Sequence, residues 1–121
     1  MHDLAIIGGG PAGASAAVFA ARAGLDTVVI DADKGITRKA DLNNHLGFPD
    51  GIPGPELVEL GRAHAVKSGA EWLEGSVTSV TKADDGFVIV ADDLTAIKQR
   101  EATLSVVRTY LSPRLVRHIQ S

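Results

Sequence analysis

Apolar residues near the N-terminus come in short unbroken runs that stop abruptly. Leu4–Ile7 run directly into three glycines, and Val28–Ile30 end at Asp31. Runs of this kind are typical of parallel strands buried on both faces of a sheet. The segment between them predicts a helix, because Pro11 suits a first turn and Gly24 suits a C-terminal end. Strand, helix and strand together predict a right-handed βαβ unit.

A long connection follows, and then a second helix. The connection over residues 32–53 is longer than a simple turn. A loop of this length in a compact domain usually binds a ligand or is disordered. Gly54 and Pro55 open a predicted helix that runs to about Lys67 and ends at Gly69.

The pattern after this helix changes to short strands. The segments "AEWLEG", "SVTSVT" and "FVIVA" predict three short strands, that is, a small β-meander. The last two are joined by "KADDG", in which Asp85 and Gly86 are a hairpin-turn signal. The predicted fold class is therefore α/β: a Rossmann-like βαβ unit with a three-stranded meander, incomplete at its C-terminus.

The last segment, residues 94–121, has a weaker pattern. It is compatible with a helix that Pro113 would break, and equally with disorder; the apolar positions are Ile97, Leu104, Val107 and Leu111. The charge balance also reverses, from −7 over residues 1–93 to +4 over residues 94–121. We therefore expect a domain over 1–93 and a basic tail of unknown structure over 94–121.

Composition narrows the classes of function. The chain is 45% hydrophobic and 22% charged, which is typical of a globular protein, and it has no cysteine. A CxxC pair or a thiolate metal site within these residues is therefore excluded. No apolar run approaches the ~18 residues of a membrane span, and the N-terminus does not resemble a signal peptide, so we expect a cytoplasmic protein without membrane contact. The tail's cations lack interleaved aromatic residues beyond Tyr110, so nucleic-acid binding is not expected.

The glycine-rich segment "GGGPAG", residues 8–13, fits the GxGxxG pattern of dinucleotide-binding turns. Gly8 permits a tight turn, Gly10 allows a diphosphate to approach the backbone, and Gly13 lets the helix lie close to the sheet. The helix N-terminus would then face the phosphates. The predicted contacts in this turn are Gly8, Gly10, Pro11, Ala12 and Gly13.

Asp31 strengthens this prediction. It ends the second strand 18 residues beyond Gly13, where an acidic side chain can accept hydrogen bonds from ribose hydroxyls. Together with its neighbour Ala32 it is a predicted cofactor contact, and its charge disfavours a 2′-phosphorylated nucleotide there. The residues leave open whether the dinucleotide is NAD or FAD.

A second block makes the sequence more specific. The run "NNHLGFPDGIPGPEL", followed by "VELGRAHAVKSGAE", resembles the FAD domain of the low-molecular-weight thioredoxin reductase family, with its ENYPGFPxxIxGxEL pattern. The matching positions are Asn44, Gly47, Phe48, Pro49, Ile52, Gly54, Glu56, Leu57, Ala65, Gly69, Ala70 and Glu71. With the glycine-rich block, the resemblance covers about residues 3–92.

The resemblance implies FAD as the cofactor. It implies that Asn44 reaches the ribityl–phosphate region, that the turn with Gly47 lies against the cofactor, and that backbone near Val77 holds the adenine. The implied function is that of a flavoprotein oxidoreductase that takes electrons from NAD(P)H and passes them to a redox protein, both through another chain. The expected assembly is a homodimer. No residue is predicted to be catalytic or to bind a metal.

Departures from the family keep alternatives open. Asn43, His45 and Leu46 stand where the pattern has Glu, Tyr and Pro. The nicotinamide domain with its CxxC and the "ATG" and "GD" motifs are absent, which suggests a truncation or shifted reading frame past residue 93. The chain alone could therefore be inactive. The alternatives are a non-catalytic dinucleotide-binding module or inactive fragment, and an NAD-dependent dehydrogenase domain.

Overall fold

The computed structural model describes residues 1–94 and, for the backbone, residues 106–110. Strands and helices alternate in the first part, and strands alone follow the second helix. In chain order the elements are β1 (Leu4–Ile7), α1 (Pro11–Arg22), β2 (Thr27–Asp31), a 3-10 turn (Ile36–Lys39), β3 (Asp41–Leu42), β4 (Ile52–Pro53), α2 (Gly54–Lys67), β5 (Glu71–Ala83), β6 (Gly86–Asp93) and β7 (Val106–Tyr110).

The predicted βαβ unit is confirmed. β1 and β2 are parallel neighbours, with Leu4 opposite Thr27 and Ile7 opposite Ile30, and α1 connects them. The side chains of β2 from Thr27 to Ile30 are no more than 2% exposed. This explains why Val28, Val29 and Ile30 form an unbroken apolar run rather than an alternating pattern.

The sheet has a core on each face. Val29 packs with Ala17, Val18 and Ala65 of the two helices. Its neighbours in β2, Val28 and Ile30, instead pack with Ile89 and Ala91 of β6. Because successive strand residues point to opposite faces, β2 contributes to both cores, and it lies at the centre of the fold.

Two of the three predicted meander strands are a single strand. Residues 71–83 form the continuous strand β5, which pairs parallel with β2 over Glu71–Glu74 and antiparallel with β6 over Gly75–Ala83. The division predicted at Gly75 is therefore wrong. A side chain at Gly75 would crowd the Asp92 carbonyl oxygen at 3.1 Å, so glycine here allows close approach without ending the strand. The hairpin between β5 and β6 is confirmed.

The third strand of the antiparallel meander is β7. It pairs with β6, with Ala91 opposite Val107, and gives the sheet order β1-β2-β5-β6-β7. A helix through Val107 is therefore wrong for residues 106–110, while Ile97, Leu104, Leu111 and Pro113 lie outside the described residues. The α/β fold class is confirmed, and the domain boundary at residue 93 stays a prediction.

The long connection between β2 and α2 is ordered by backbone contacts. β3 and β4 pair antiparallel, with Leu42 opposite Ile52, whose side chain is buried. The N–H of Gly54 donates to the carbonyl oxygen of Ala40 across 2.6 Å. The two ends of the Pro- and Gly-rich segment are therefore joined by backbone pairing next to the start of α2.

The two helices lie side by side on one face of the sheet. They approach closely where Gly61 of α2 meets Ala14 of α1, since a Cβ on Gly61 would lie only 3.1 Å from the Cβ of Ala14. Within the described residues, neither helix is long and apolar enough to cross a membrane.

Candidate functional site

The glycine turn joins β1 to α1 beside the end of β2. The N–H of Gly8 donates to the carbonyl oxygen of Ile30 across 2.9 Å, which fixes the turn against the neighbouring strand. Gly8 has φ +104°, a conformation that side chains rarely adopt. The carbonyl of Gly10 accepts the N–H of Ala14 across 2.9 Å, and α1 begins at Pro11. The predicted strand–turn–helix context is therefore present.

Gly10 and Gly13 have opposite surroundings. A Cβ on Gly13 would overlap the carbonyl oxygen of Gly8, so glycine is needed there for the helix to pack on the turn. A Cβ on Gly10 would meet no protein atom within 4 Å. The space next to Gly10 is open, and its backbone is accessible to a ligand.

The N-terminus of α1 lacks the usual side-chain cap. Gly10 precedes the helix and offers no capping group, and the first turn contains no acidic residue. Pro11 has no N–H, so the first-turn donors available without a side-chain partner belong to Ala12 and Gly13. This arrangement can bind an anion such as a phosphate group.

A cavity of about 220 Å³ lies beside the glycine turn and collects five of the predicted site residues. These are Gly8, Gly10, Asp31, Ala32 and Val77. They come from β1 and its turn, the end of β2, and β5, so three separate segments converge on one space. The register of β5 with β6 shifts between Val77 and Ser79, and such irregularities often re-aim backbone next to binding sites.

Asp31 interacts with the glycine turn directly. Its Oδ1 accepts the N–H of Gly9 across 3.0 Å. Asp31 is half-buried and also lines the cavity. The sequence predicted Asp31 as a ligand contact but not its contact with Gly9.

The other predicted residues lie elsewhere. Asn44 and Gly47 are exposed in the loop between β3 and β4 and line neither this cavity nor a larger one of about 530 Å³ between α1 and α2. Pro11 lines the larger cavity, together with His45 and Phe48, whose rings are 5.9 Å apart. The roles of Asn44 and Gly47 stay predictions.

Sequence reasoning did not single out Lys34, Gly35 or Gly75, which also line the smaller cavity. Lys34 and Asp31 are its two charged lining residues. The signal that could have found Lys34 is its position three residues after Asp31, in the loop that leaves the carboxyl end of β2. In parallel sheets that edge is where ligands bind.

Comparisons with known proteins agree with this geometry. A family model described as pyridine nucleotide-disulphide oxidoreductase matches residues 2–107. The thioredoxin reductase of Streptomyces clavuligerus is 35% identical over 108 residues, which are 86% of this chain and 33% of that protein. The thioredoxin reductase of Bacillus subtilis is 38% identical over 96 residues, covering 75% of this chain and 29% of that protein.

Solved structures give the same result. The atypical thioredoxin reductase TRi from Desulfovibrio vulgaris Hildenborough has a TM-score of 0.69 and 36% identity, over 88% of this chain and 33% of that chain. The thioredoxin reductase of T. acidophilum has a TM-score of 0.67 and 39% identity, over 74% and 30%. The chain therefore spans about a third of the length of these relatives. The resemblance to thioredoxin reductases is confirmed, and the chain belongs to the pyridine nucleotide-disulphide oxidoreductase family.

Proposed function

We propose that this chain binds FAD at the glycine turn, as the FAD-binding part of a thioredoxin-reductase-like flavoprotein oxidoreductase. The observation that carries the proposal is the open space at Gly10, which faces the uncapped N-terminus of α1 beside the cavity that Asp31 lines. A backbone without a Cβ at this point suits the diphosphate that joins the two halves of a dinucleotide.

Each part of the site has a role in this proposal. The N–H groups of Ala12 and Gly13 would bind the diphosphate, and Lys34 adds a cation to the lining of the cavity beside the turn. Asp31 would accept hydrogen bonds from a ribose, and backbone at Val77 would hold the adenine. By the family resemblance, Asn44 and Gly47 would contact the flavin half. When bound, FAD supplies redox chemistry, and the protein supplies binding and orientation.

The electron donor and acceptor in this proposal are separate molecules. The donor is a reduced nicotinamide nucleotide, and the acceptor is a redox protein, both engaged through another chain. The relatives that support this part are themselves named thioredoxin reductases. The 121 residues contain no cysteine, so they offer no thiol for disulfide exchange. Cytoplasmic residence belongs to the same proposal.

We also propose that the chain forms a homodimer through the face of α1 and α2. Phe19 is 76% exposed and Leu60 is 49% exposed, and both line the larger cavity between the helices. Exposed apolar side chains grouped around a groove favour burial against another surface. A second copy of the chain would cover both side chains at once.

The test of cofactor binding is a calorimetric titration of the purified chain with FAD, NAD and NADP in parallel. The proposal predicts saturable binding of FAD. The complex is expected to show a flavin absorption spectrum and to release the flavin on heating. Binding of NAD but not FAD would favour a dehydrogenase domain. A folded chain that binds none of the three would contradict the proposal. Reduction of the bound flavin by NAD(P)H, tested next with and without added redox proteins, distinguishes an enzyme from a non-catalytic binding module.

A further inference from the structure

We infer that Trp72 is a positioning residue that holds the glycine turn in its binding conformation by packing against Gly9. This inference rests on the proposed binding of a dinucleotide at that turn. Gly9 is the middle glycine of "GGGPAG", a position that the GxGxxG pattern leaves unrestricted. The structure gives a separate reason for glycine at this position.

The indole of Trp72 lies directly against the backbone of Gly9. A Cβ on Gly9 would overlap the indole Cζ2 and lie 2.7 Å from Cη2, with the Cβ of Asp31 at 3.0 Å. Both indole atoms belong to its outer ring. Any side chain at position 9 would therefore push the turn away from Trp72, so the two residues are matched in size.

Trp72 is itself fixed by its neighbours. It lies in β5 opposite Val29 of β2, and it packs on the core between sheet and helices. The guanidinium of Arg62 lies 5.9 Å from the ring centroid, and its Nη1 donates to Oε1 of Glu74 across 3.2 Å. The indole ring is therefore held in place by the pairing of β5 with β2, by the helices of the core and by the guanidinium of Arg62. It gives the glycine turn a rigid support.

The glycine turn is consequently restrained at Gly9 by two separate contacts. The N–H of Gly9 donates to Asp31, and the indole of Trp72 occupies the space that a Cβ on Gly9 would need. The restraints come from β2 and β5, which are adjacent strands. Since Gly10 and the start of α1 follow directly, their position relative to Asp31 is set before a ligand arrives. A preformed site loses less conformational entropy on binding.

A double-mutant cycle tests this pairing on the full chain, with FAD affinity measured by calorimetry. Gly9→Ala is expected to weaken FAD binding at least about tenfold, because the methyl group displaces the turn. Trp72→Phe removes the outer ring and is expected to weaken binding roughly threefold to tenfold, because the support is lost. The variant with both changes is expected to bind more tightly than Gly9→Ala alone, because the methyl group then has space.

Stability is measured on the same variants to separate positioning from a general structural role. Ile89→Val is the matched control, since Ile89 is buried in the core on the opposite face of the sheet, a core that includes no residue of the glycine turn. It is expected to lower the urea midpoint and leave FAD affinity unchanged. Should Gly9→Ala alone not fold, recovery of a folded chain when Trp72→Phe is added supports the pairing, and no recovery overturns it.

The outcomes separate the two claims. Rescue of Gly9→Ala by Trp72→Phe supports the inference. If the wild type binds FAD and Trp72→Phe binds it with equal affinity, the inference is overturned and the proposed function stands. The same follows if the losses of FAD affinity in the two single variants simply add in the double variant. A wild-type chain that folds and binds no FAD would overturn the proposed function, and the inference with it.

Discussion

The backbone N–H of Gly9 donates to Oδ1 of Asp31 across 3.0 Å, joining the glycine turn to the end of the neighbouring strand. Asp31 also lines the cavity in which the proposed cofactor would lie. Asp31 therefore both holds the turn and lines the cavity. Its loss is expected to affect both, which makes it the most informative side chain of the site.

Substitution of Asp31 is expected to weaken FAD binding, and more strongly in Asp31→Ala than in Asp31→Asn. Asp31→Ala removes both the acceptor for Gly9 and the charge, and a lost charge-assisted hydrogen bond corresponds to about 1.5–3 kcal/mol, or roughly tenfold or more in Kd. Asp31→Asn keeps an acceptor oxygen, so its effect is expected to be smaller. Asp84→Asn, in the exposed hairpin turn, is the control. Equal affinities for all variants in a calorimetric titration would contradict the assigned role.

Gly13→Ala is expected to destabilise the fold itself. Its Cβ would overlap the carbonyl oxygen of Gly8, so the helix and the turn must move apart. Overpacking of this kind costs about 1–3 kcal/mol, which a urea denaturation curve measures directly. Ala12→Ser, one residue earlier and exposed, is the control. An unchanged urea midpoint in Gly13→Ala would show that the close approach of helix and turn is wrong.

The βαβ unit could be predicted because local signals decide it. An unbroken apolar run, a glycine stop and Pro11 at a first turn specify β1 and α1 without long-range information, and the structure agrees. The same holds for Gly8, Gly10 and Asp31, whose roles follow from the geometry of any such turn. All three line one cavity.

Other features depend on contacts between distant segments, which a sequence pattern does not contain. Gly75 resembles a strand end, yet β5 continues through it because β2 pairs with one part and β6 with the other. β7 is a strand because it pairs with the free edge of β6, although the spacing of Leu104, Val107 and Leu111 is also compatible with a helix. The contact of Trp72 with Gly9 likewise joins distant segments and could not be predicted.

Removal of β7 is expected to destabilise the meander. A chain ending at Asp93 lacks the strand that pairs with β6 at five positions, from Val88 opposite Tyr110 to Asp92 opposite Val106. At ~0.2–1 kcal/mol for each cross-strand pair, five pairs give an expected loss of about 1–5 kcal/mol in the free energy of unfolding. Urea denaturation of both chains measures it. Equal stability would mean that β7 contributes nothing to the domain, in agreement with a boundary at residue 93.

The homodimer proposal predicts a concentration-dependent mass. Light scattering after size-exclusion chromatography is expected to give twice the chain mass for the wild type and a shift towards the single chain for Phe19→Ser, because Phe19 is 76% exposed beside the groove. Val80→Ser is the control, since Val80 is also exposed but lies on β5. A wild type that stays a single chain, or a dimer that Phe19→Ser leaves intact, would contradict the proposed interface.

The most direct test of cofactor binding is the FAD affinity of Gly10→Val. Gly10 has φ −71°, which any residue adopts, and its Cβ would meet no protein atom within 4 Å, so the variant is expected to fold. Its free energy of unfolding is expected to fall by about 1 kcal/mol, because valine is less favourable than glycine at the residue before a helix. Ala16→Val, on the exposed side of α1, is the control. Because the new side chain fills the space proposed for the diphosphate, calorimetry is expected to show FAD affinity reduced roughly 30-fold or more, about 2 kcal/mol. Full FAD affinity in a folded Gly10→Val chain would show that the dinucleotide does not bind at the glycine turn.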